Sequence, residues 1–380
     1  MSEIKRAFVP VKLTRERLGE LPVVSPEMTV AERRRLCVDF FHFTNSFLWV
    51  PVDNYDHYVH PESPKPKKIR NGKLYGGLCY TTCSNGNVYR VLDYYDEQTG
   101  VFDAETAFKL ERNRIGCQCS SGIHWAWSRV QNTAWFGGCS DMVEKNGCRK
   151  IGPYQYDPEL QGFSREYGTN HICQENGEQV MYESYAQLQP GDGLVCYTTA
   201  GHVIMPQTLP WVQRNEDGTI DGARSHILFL DQSQVWKYGI APNGDEFAHM
   251  PNIATLITFE DLLKEYYLPI TLDAFREDYI PETPWLQIDL SEETVTAQQL
   301  CDAVVTSNYS ISDIYVIVSD EDGSECYSGV NRSAELFQMR MAVESAVDTD
   351  VLAQLSGKAV RIECQSGSGI REVLYKGVLK

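Results

Sequence analysis

Two spacings of apolar residues divide this chain. From Ser25 to Val50 the run SPEMTVAERRRLCVDFFHFTNSFLWV keeps apolar residues three and four apart, and Ser25 and Pro26 suit the cap and first turn of a helix. Residues 60–73, HPESPKPKKIRNGK, are rich in Pro and Lys and are expected to form a loop. From Leu74 to about Leu272, short runs such as HVIM and HILFLD follow turn residues in the manner of strands. Within that region Ile123, Ala126, Trp127 and Val130 recur at i, i+3, i+4 and i+7, which predicts an amphipathic helix after Cys119 with His124 at its rim. FEDLLKEYY, at 259–267, predicts another short helix. Beyond TPWLQIDL, IYVIVSD and AVRIECQ read as strands set apart by EDGS and GSG turns, with one helical insert at SAELFQMRMAVESA. The expected class is α+β in three parts: a helical segment and loop over 1–73, a mixed domain over 74–283, and a β-rich, sandwich-like domain over 284–380.

Composition narrows the partners. The 380 residues are 42% hydrophobic and 23% charged, as in folded soluble chains, and a net charge of -18 opposes binding to phosphate backbones. No nucleic acid partner is expected. No window approaches the ~20 apolar residues of a membrane helix. The basic residues of the N-terminus are not followed by an apolar core. The expectation is no membrane partner and a cytoplasmic location as written, or else the mature part of a secreted protein; composition leaves the oligomeric state open. Most of the 12 cysteines, including Cys37, Cys148, Cys173, Cys301, Cys326 and Cys364, are expected to be reduced and packed as small hydrophobes. The pairs Cys79 with Cys83 and Cys117 with Cys119 lack the double knuckle of a structural zinc site, and no phosphate-binding or dinucleotide glycine loop is present. Neither a metal nor an organic cofactor is expected.

The stretch IGCQCSSGIHWAW puts Cys119 at the N-terminal tip of the expected helix, with Cys117 before it. At that tip, unpaired N–H groups and the positive end of the helix dipole favour a thiolate. Position alone leaves a nucleophile and two packed thiols both open. A second stretch, LQPGDGLVCYTTAGHVIM, reads as a turn at Pro190 and Gly191, a strand through Leu194 and Val195, another turn, and a strand opening at His202. A histidine there is held on a rigid element with its ring free to face a cleft.

GCQCSSGIHWAW resembles the GxDCSxxxxxAW segment of the NlpC/P60 cysteine peptidases and the GxQC segment of the related CHAP domains. LQPGDGLVCY followed by GHVIM is similar to their PGD strand and their GHV strand, and GGLCYTTC is similar to their GxxYxxGG segment. The likeness spans Leu74 to about Leu272, a little over half the chain. It implies a papain-like core with Cys119 as nucleophile, His202 as general base and Tyr80 lining the cleft, with Gln118 and Ser120 beside the substrate. For the third catalytic member, antiparallel pairing of GHVIMPQ with SHILFLDQ would bring His202 near Asp231 and Gln232. Asp231 is chosen because a carboxylate best supports an imidazolium and CHAP domains use an acidic residue in a similar setting; Gln232 is its rival, and His226 takes the role if the strands pair otherwise. Two positions depart from the pattern: Gln118 stands where NlpC/P60 peptidases carry aspartate, and Cys83 and Ser84 stand where the tyrosine motif has its glycine pair. The implied activity is hydrolysis of an amide in bacterial cell-wall stem peptides or their fragments, with a peptide or peptidoglycan fragment as the partner. An amidase or acyltransferase on the same fold, or a non-catalytic binding protein, are the alternatives.

Overall fold

The computed structural model describes residues 13–45, 47–60, 62–82, 86–132, 138–233, 255–331 and 338–380, with the short strands Gly239–Ile240 and Glu246–Phe247. Helices and several sheets are mixed, an α+β architecture. The described residues fall into two units, one drawn from 13–17, 28–127 and 138–280, the other from 18–27, 128–132 and 281–380.

The first unit's long helix, Val30–Asn45, starts at Thr29 rather than at Ser25. Thr29 N–H donates to Glu32 Oε2 at 2.8 Å and Glu32 N–H donates to Thr29 Oγ1 at 3.3 Å, a reciprocal cap that fixes the start four residues later than the Ser-Pro pair suggested. The helix ends before the run does, and its last part continues as the strand Leu48–Pro51. Residues 60–73 are not all loop either: Lys67–Ile69 pairs antiparallel with Tyr55–His57, which lets Ile69 bury its side chain.

Six antiparallel strands make the main sheet of this unit, in the order Thr255–Thr258, His226–Leu230, Gly201–Pro206, Gly193–Tyr197, Leu268–Leu272, Cys148–Lys150. The helix Cys119–Trp127 contacts both the Gly201–Pro206 strand and the Val30–Asn45 helix. Covered from both sides, it has no solvent face: all nine of its residues are buried, including His124, which is a core residue and not a rim one. It ends at Trp127, so Val130, though buried, does not extend the expected stripe. Gly122 admits the neighbouring helix, since a Cβ there would lie 2.9 Å from the Phe41 ring.

The PGD turn locks helix to sheet. Gly191 takes φ +86°, and its carbonyl accepts from Trp127 Nε1 at 2.9 Å. Asp192, fully buried, accepts from Arg34 Nη1 at 2.7 Å, Thr271 Oγ1 at 2.5 Å and Gln189 N–H at 2.8 Å. Arg34 lies on the Val30–Asn45 helix and also donates to the Pro190 carbonyl at 3.1 Å. The motif therefore works as a clamp joining two helices and two strands.

In the second unit a five-stranded sheet runs Thr294–Val295, Arg371–Leu379, Ala359–Ser366, Ile311–Ser319, Glu325–Val330, and a three-stranded sheet runs Leu286–Ile288, Val304–Ser307, Arg340–Ala342. One core draws on both, with Val305 and Met341 beside Val316, Ile362 and Cys364. The helix expected over SAELFQMRMAVESA is corrected where it can be seen. Residues 332–337 lie outside the described residues; Arg340–Ala342 is a strand, with Met341 and Val343 turned inward at period two. Cys326 is exposed and Cys301 partly so, against the expectation that both pack in the core. At Gly369, in the turn leading to the last strand, φ is +100° and a Cβ would collide with the guanidinium of Arg129, a fully buried residue that donates to the Pro22 carbonyl at 3.0 Å.

Candidate active site

The two cysteines of the GCQC stretch have opposite fates, fixed by the backbone around them. The segment Cys79–Thr81 runs beside Cys117: Cys117 N–H donates to Cys79 O at 3.0 Å and Thr81 N–H to Cys117 O at 3.0 Å. Cys117 is thereby held inward, its Sγ 3.4 Å from Gln118 O and 3.6 Å from Ser121 Oγ. Burial pushes its thiol up to about 12, and Cys79 is pushed up to about 12 the same way. Gln118 ends the extended stretch: its carbonyl accepts from Gly122 N–H at 3.0 Å, and its own N–H donates to Ser121 Oγ at 3.0 Å. Cys119 is then the first residue of the helix.

Cys119 is as deeply set, at 4% exposure, yet its thiol is held well below the usual cysteine value. The largest cause is a hydrogen bond from the Cys139 thiol; burial opposes it, and hydrogen bonding and charge from His202 with the N–H of Val203 carry the balance toward the thiolate. Cys139 is correspondingly held well above the usual value, first by that same bond and then by burial, so it stays protonated and donates. His202 is raised to about 10: burial works against its charge, but the bond to Asp231 and the neighbouring sulfur outweigh it. An ionised sulfur beside a protonated imidazole is the resting state these shifts describe.

Asp231 Oδ1 lies 2.9 Å from His202 Nε2, which leaves Nδ1 as the ring nitrogen for the sulfur. Strand register explains the contact. Met205 pairs with Leu230 and Pro206 with Phe229, and carrying that register onward sets His202 opposite residue 233, so that Asp231 is its diagonal neighbour on the same face. Gln232 falls on the other face. Its Nε2 donates to the Leu78 and Cys117 carbonyls at 3.0 and 3.3 Å, so it braces the backbone before the nucleophile and does not touch the imidazole's partner atom. His226 stacks on Trp211, with its Nδ1 3.2 Å from Arg224 O, at the opposite end of its strand, roughly 16 Å from Asp231 at the strand rise per residue.

Tyr80 reaches the same sulfur. Burial, followed by the negative charge of the Cys119 sulfur, holds its phenol above the usual value. The Tyr80 carbonyl is fixed by His57 Nε2 at 2.8 Å; burial lowers His57 to about 4, so the ring is neutral and the nitrogen facing the carbonyl is the one bearing hydrogen. Ser120 is buried in the first helical turn and Gln118 is partly buried beside it. The site opens through His202, whose side chain is 27% exposed, and the partly exposed Tyr80. Cys83 and Ser84 lie outside the described residues.

Cys119, His202, Asp231 and Tyr80 thus converge, while His226 does not. Sequence reading missed Cys139 and His57. Cys139 comes from a 3-10 turn, Cys139–Asp141, twenty residues beyond the nucleophile with no spacing signal; the only trace is Gly201, where a Cβ would sit 2.6 Å from the Cys139 Cβ. Among the described residues no cluster of three or more His, Cys, Asp or Glu is arranged to hold a metal ion, and no helix is long and apolar enough to cross a membrane. No family model, no curated protein and no solved structure matches the chain.

Proposed function

We propose that the first unit is a papain-like cysteine hydrolase of the NlpC/P60 type that cleaves an amide bond in peptidoglycan stem peptides or their fragments. The observation that carries this reading is the grouping of Cys119, at the tip of its helix, with His202 and Asp231, the ring 2.9 Å from the carboxylate and its charge favouring the sulfur as thiolate. The sequence likeness at three segments in matching order supports the choice of substrate class.

In this mechanism the Cys119 sulfur attacks the amide carbon, and the first-turn N–H groups of its helix receive the oxyanion. His202 gives its proton to the departing amine, leaving a thioester. Water then attacks the thioester as His202 takes a proton back, releasing the acid and restoring the thiolate. Asp231 holds Nε2–H throughout, which keeps Nδ1 directed at the sulfur. Tyr80, whose phenol feels the charge of the sulfur, is the side chain that would face the bound substrate.

The test is incubation of wild type and Cys119→Ala with a panel of muropeptides and ordinary peptides, reading new amines by mass spectrometry. Wild type is expected to release amines from stem peptides, and the variant to lose about 10⁵-fold or more, as nucleophile removal does elsewhere. Cleavage that survives the substitution refutes the assignment. Transfer of the acyl group to an added amine or alcohol in preference to water would move the reading to an acyltransferase.

A further inference from the structure

His202 is tied to Asp231 at one point, Nε2 to Oδ1 at 2.9 Å, and a single hydrogen bond leaves a ring free to rock about it. A second neighbour comes from two strands away. Cys196 pairs with His202, and Leu268 pairs with Val195, so the same register sets Tyr267 opposite Cys196. Directly opposed residues share a face of the sheet, which puts Tyr267, Cys196 and His202 in one row. Backbones two strands apart lie about 9–10 Å from each other. The Tyr267 and His202 ring centroids are only 6.5 Å apart, with 65° between their planes, so the two rings lean together over Cys196, edge to face.

The backbone at Tyr267 is pinned on both sides. Its N–H donates to Leu262 O at 3.0 Å and the N–H of Tyr266 donates to Leu263 O at 3.0 Å, the pair of bonds that closes the end of the helix Phe259–Lys264. That closure takes a left-handed residue, ordinarily glycine; Tyr266 fills it at φ +59° and is the only non-glycine residue at positive φ among those described. A strained residue of this kind persists only where its surroundings fix it. On the other side the Tyr267 carbonyl accepts from the Tyr185 hydroxyl at 2.7 Å, and Tyr267 itself is 3% exposed.

We propose that Tyr267 is a positioning residue for His202: its ring walls the side of the imidazole that Asp231 leaves unrestrained, so that Nδ1 stays turned toward Cys119. The aromatic ring does this, not the hydroxyl. Leucine at 267 keeps apolar packing but removes the flat wall, and the imidazole then spends part of its time rotated off the line of proton transfer. Misplacing a reacting group by about an ångström is enough to cost roughly 10²-fold in rate. The proposal rests on His202 being the proton carrier of the hydrolase reading, whereas the ring contact stands without it.

The full chain is prepared with carbon-13 at Cε1 of its histidines, and the His202 signal is identified by its loss in His202→Gln. Tyr267→Leu is expected to shift that signal and to broaden or double it, and Tyr267→Phe to leave it single. In hydrolysis of stem peptides, Tyr267→Leu should lower kcat roughly 10²-fold with KM unchanged, and Tyr267→Phe should stay within about twofold of wild type in both. Tyr267→Met replaces the leucine variant if that one does not fold. A His202 signal indifferent to loss of the ring, a change in KM without one in kcat, or a phenylalanine variant as impaired as the leucine one overturns the proposal. A wild type that cleaves nothing while its His202 signal responds as expected overturns the hydrolase reading and upholds the placement of the ring.

Discussion

Cys119 in the first unit and Cys364 in the second are both buried, at 4% and 0% exposure, and ionise in opposite directions. Cys364 lies on the Ala359–Ser366 strand among Val316, Ile362 and other core residues. Burial, with the negative charges of Asp313 and Glu372 behind it, pushes its thiol far up. Cys119 bears a comparable burial cost but meets donors from three separate places: the Cys139 thiol, the His202 ring and the Val203 N–H. Depth alone silences a thiol, and fixed donors reverse the sign.

The comparison can be broken most directly by labelling. At neutral pH Cys119 is expected to react with iodoacetamide about 10³-fold faster than Cys364, measured by the time course of each modified peptide; equal rates would end the contrast. His202→Ala removes one donor and the charge that holds the thiolate, and the Cys119 rate at neutral pH should fall roughly 10²-fold, whereas Cys364 should not change. The pH profile of hydrolysis sharpens the point. Activity needs Cys119 ionised and His202 protonated, so it should fall as pH drops through the lowered cysteine value and fall again as pH rises past about 10, where the imidazolium loses its proton. Asp231→Asn takes away the carboxylate that raises His202, and the alkaline limb should move down from about 10 toward the ordinary imidazole range.

Two smaller effects concern stability. In the second unit, where side chains serve packing, Ile362→Ala should cost about 2–5 kcal/mol in a denaturant titration. In the first, Gln232→Ala removes the donor to the Leu78 and Cys117 carbonyls, and about 1–3 kcal/mol should be lost. Should Gln232→Ala instead shift the alkaline limb as Asp231→Asn does, the division of labour between these neighbours would be wrong.

Much of the site was legible because it is built from local features. A cysteine opening a helix, a histidine at the start of a strand and a Pro-Gly-Asp turn are each written in a few adjacent residues, and carboxylate chemistry prefers Asp231 to Gln232, whereas the register that puts Asp231 on the face of His202 comes from strand pairing. Misreadings fell where a tertiary neighbour decides. His124 looked like a rim position because the stripe of Ile123, Ala126 and Trp127 marks only one face; a second helix covers the other. The helix start at Thr29 was missed although its Glu32 partner stands three residues on, because the earlier Ser-Pro pair gives the same signal.

By itself the chain's order of residues determined the α+β alternation, the helix tip under Cys119 and the two strands that bring His202 and Asp231 together, since all of these follow from backbone geometry over short spans. Only the tertiary structure decided which sulfur is ionised. Cys117 and Cys119 are two residues apart in the same stretch, and what separates them is the set of donors that distant segments bring: Cys139 from a later turn, Val203 and His202 from a strand. Ionisation inside a protein depends on the sum of such through-space interactions against the cost of leaving water, and no local pattern contains that sum.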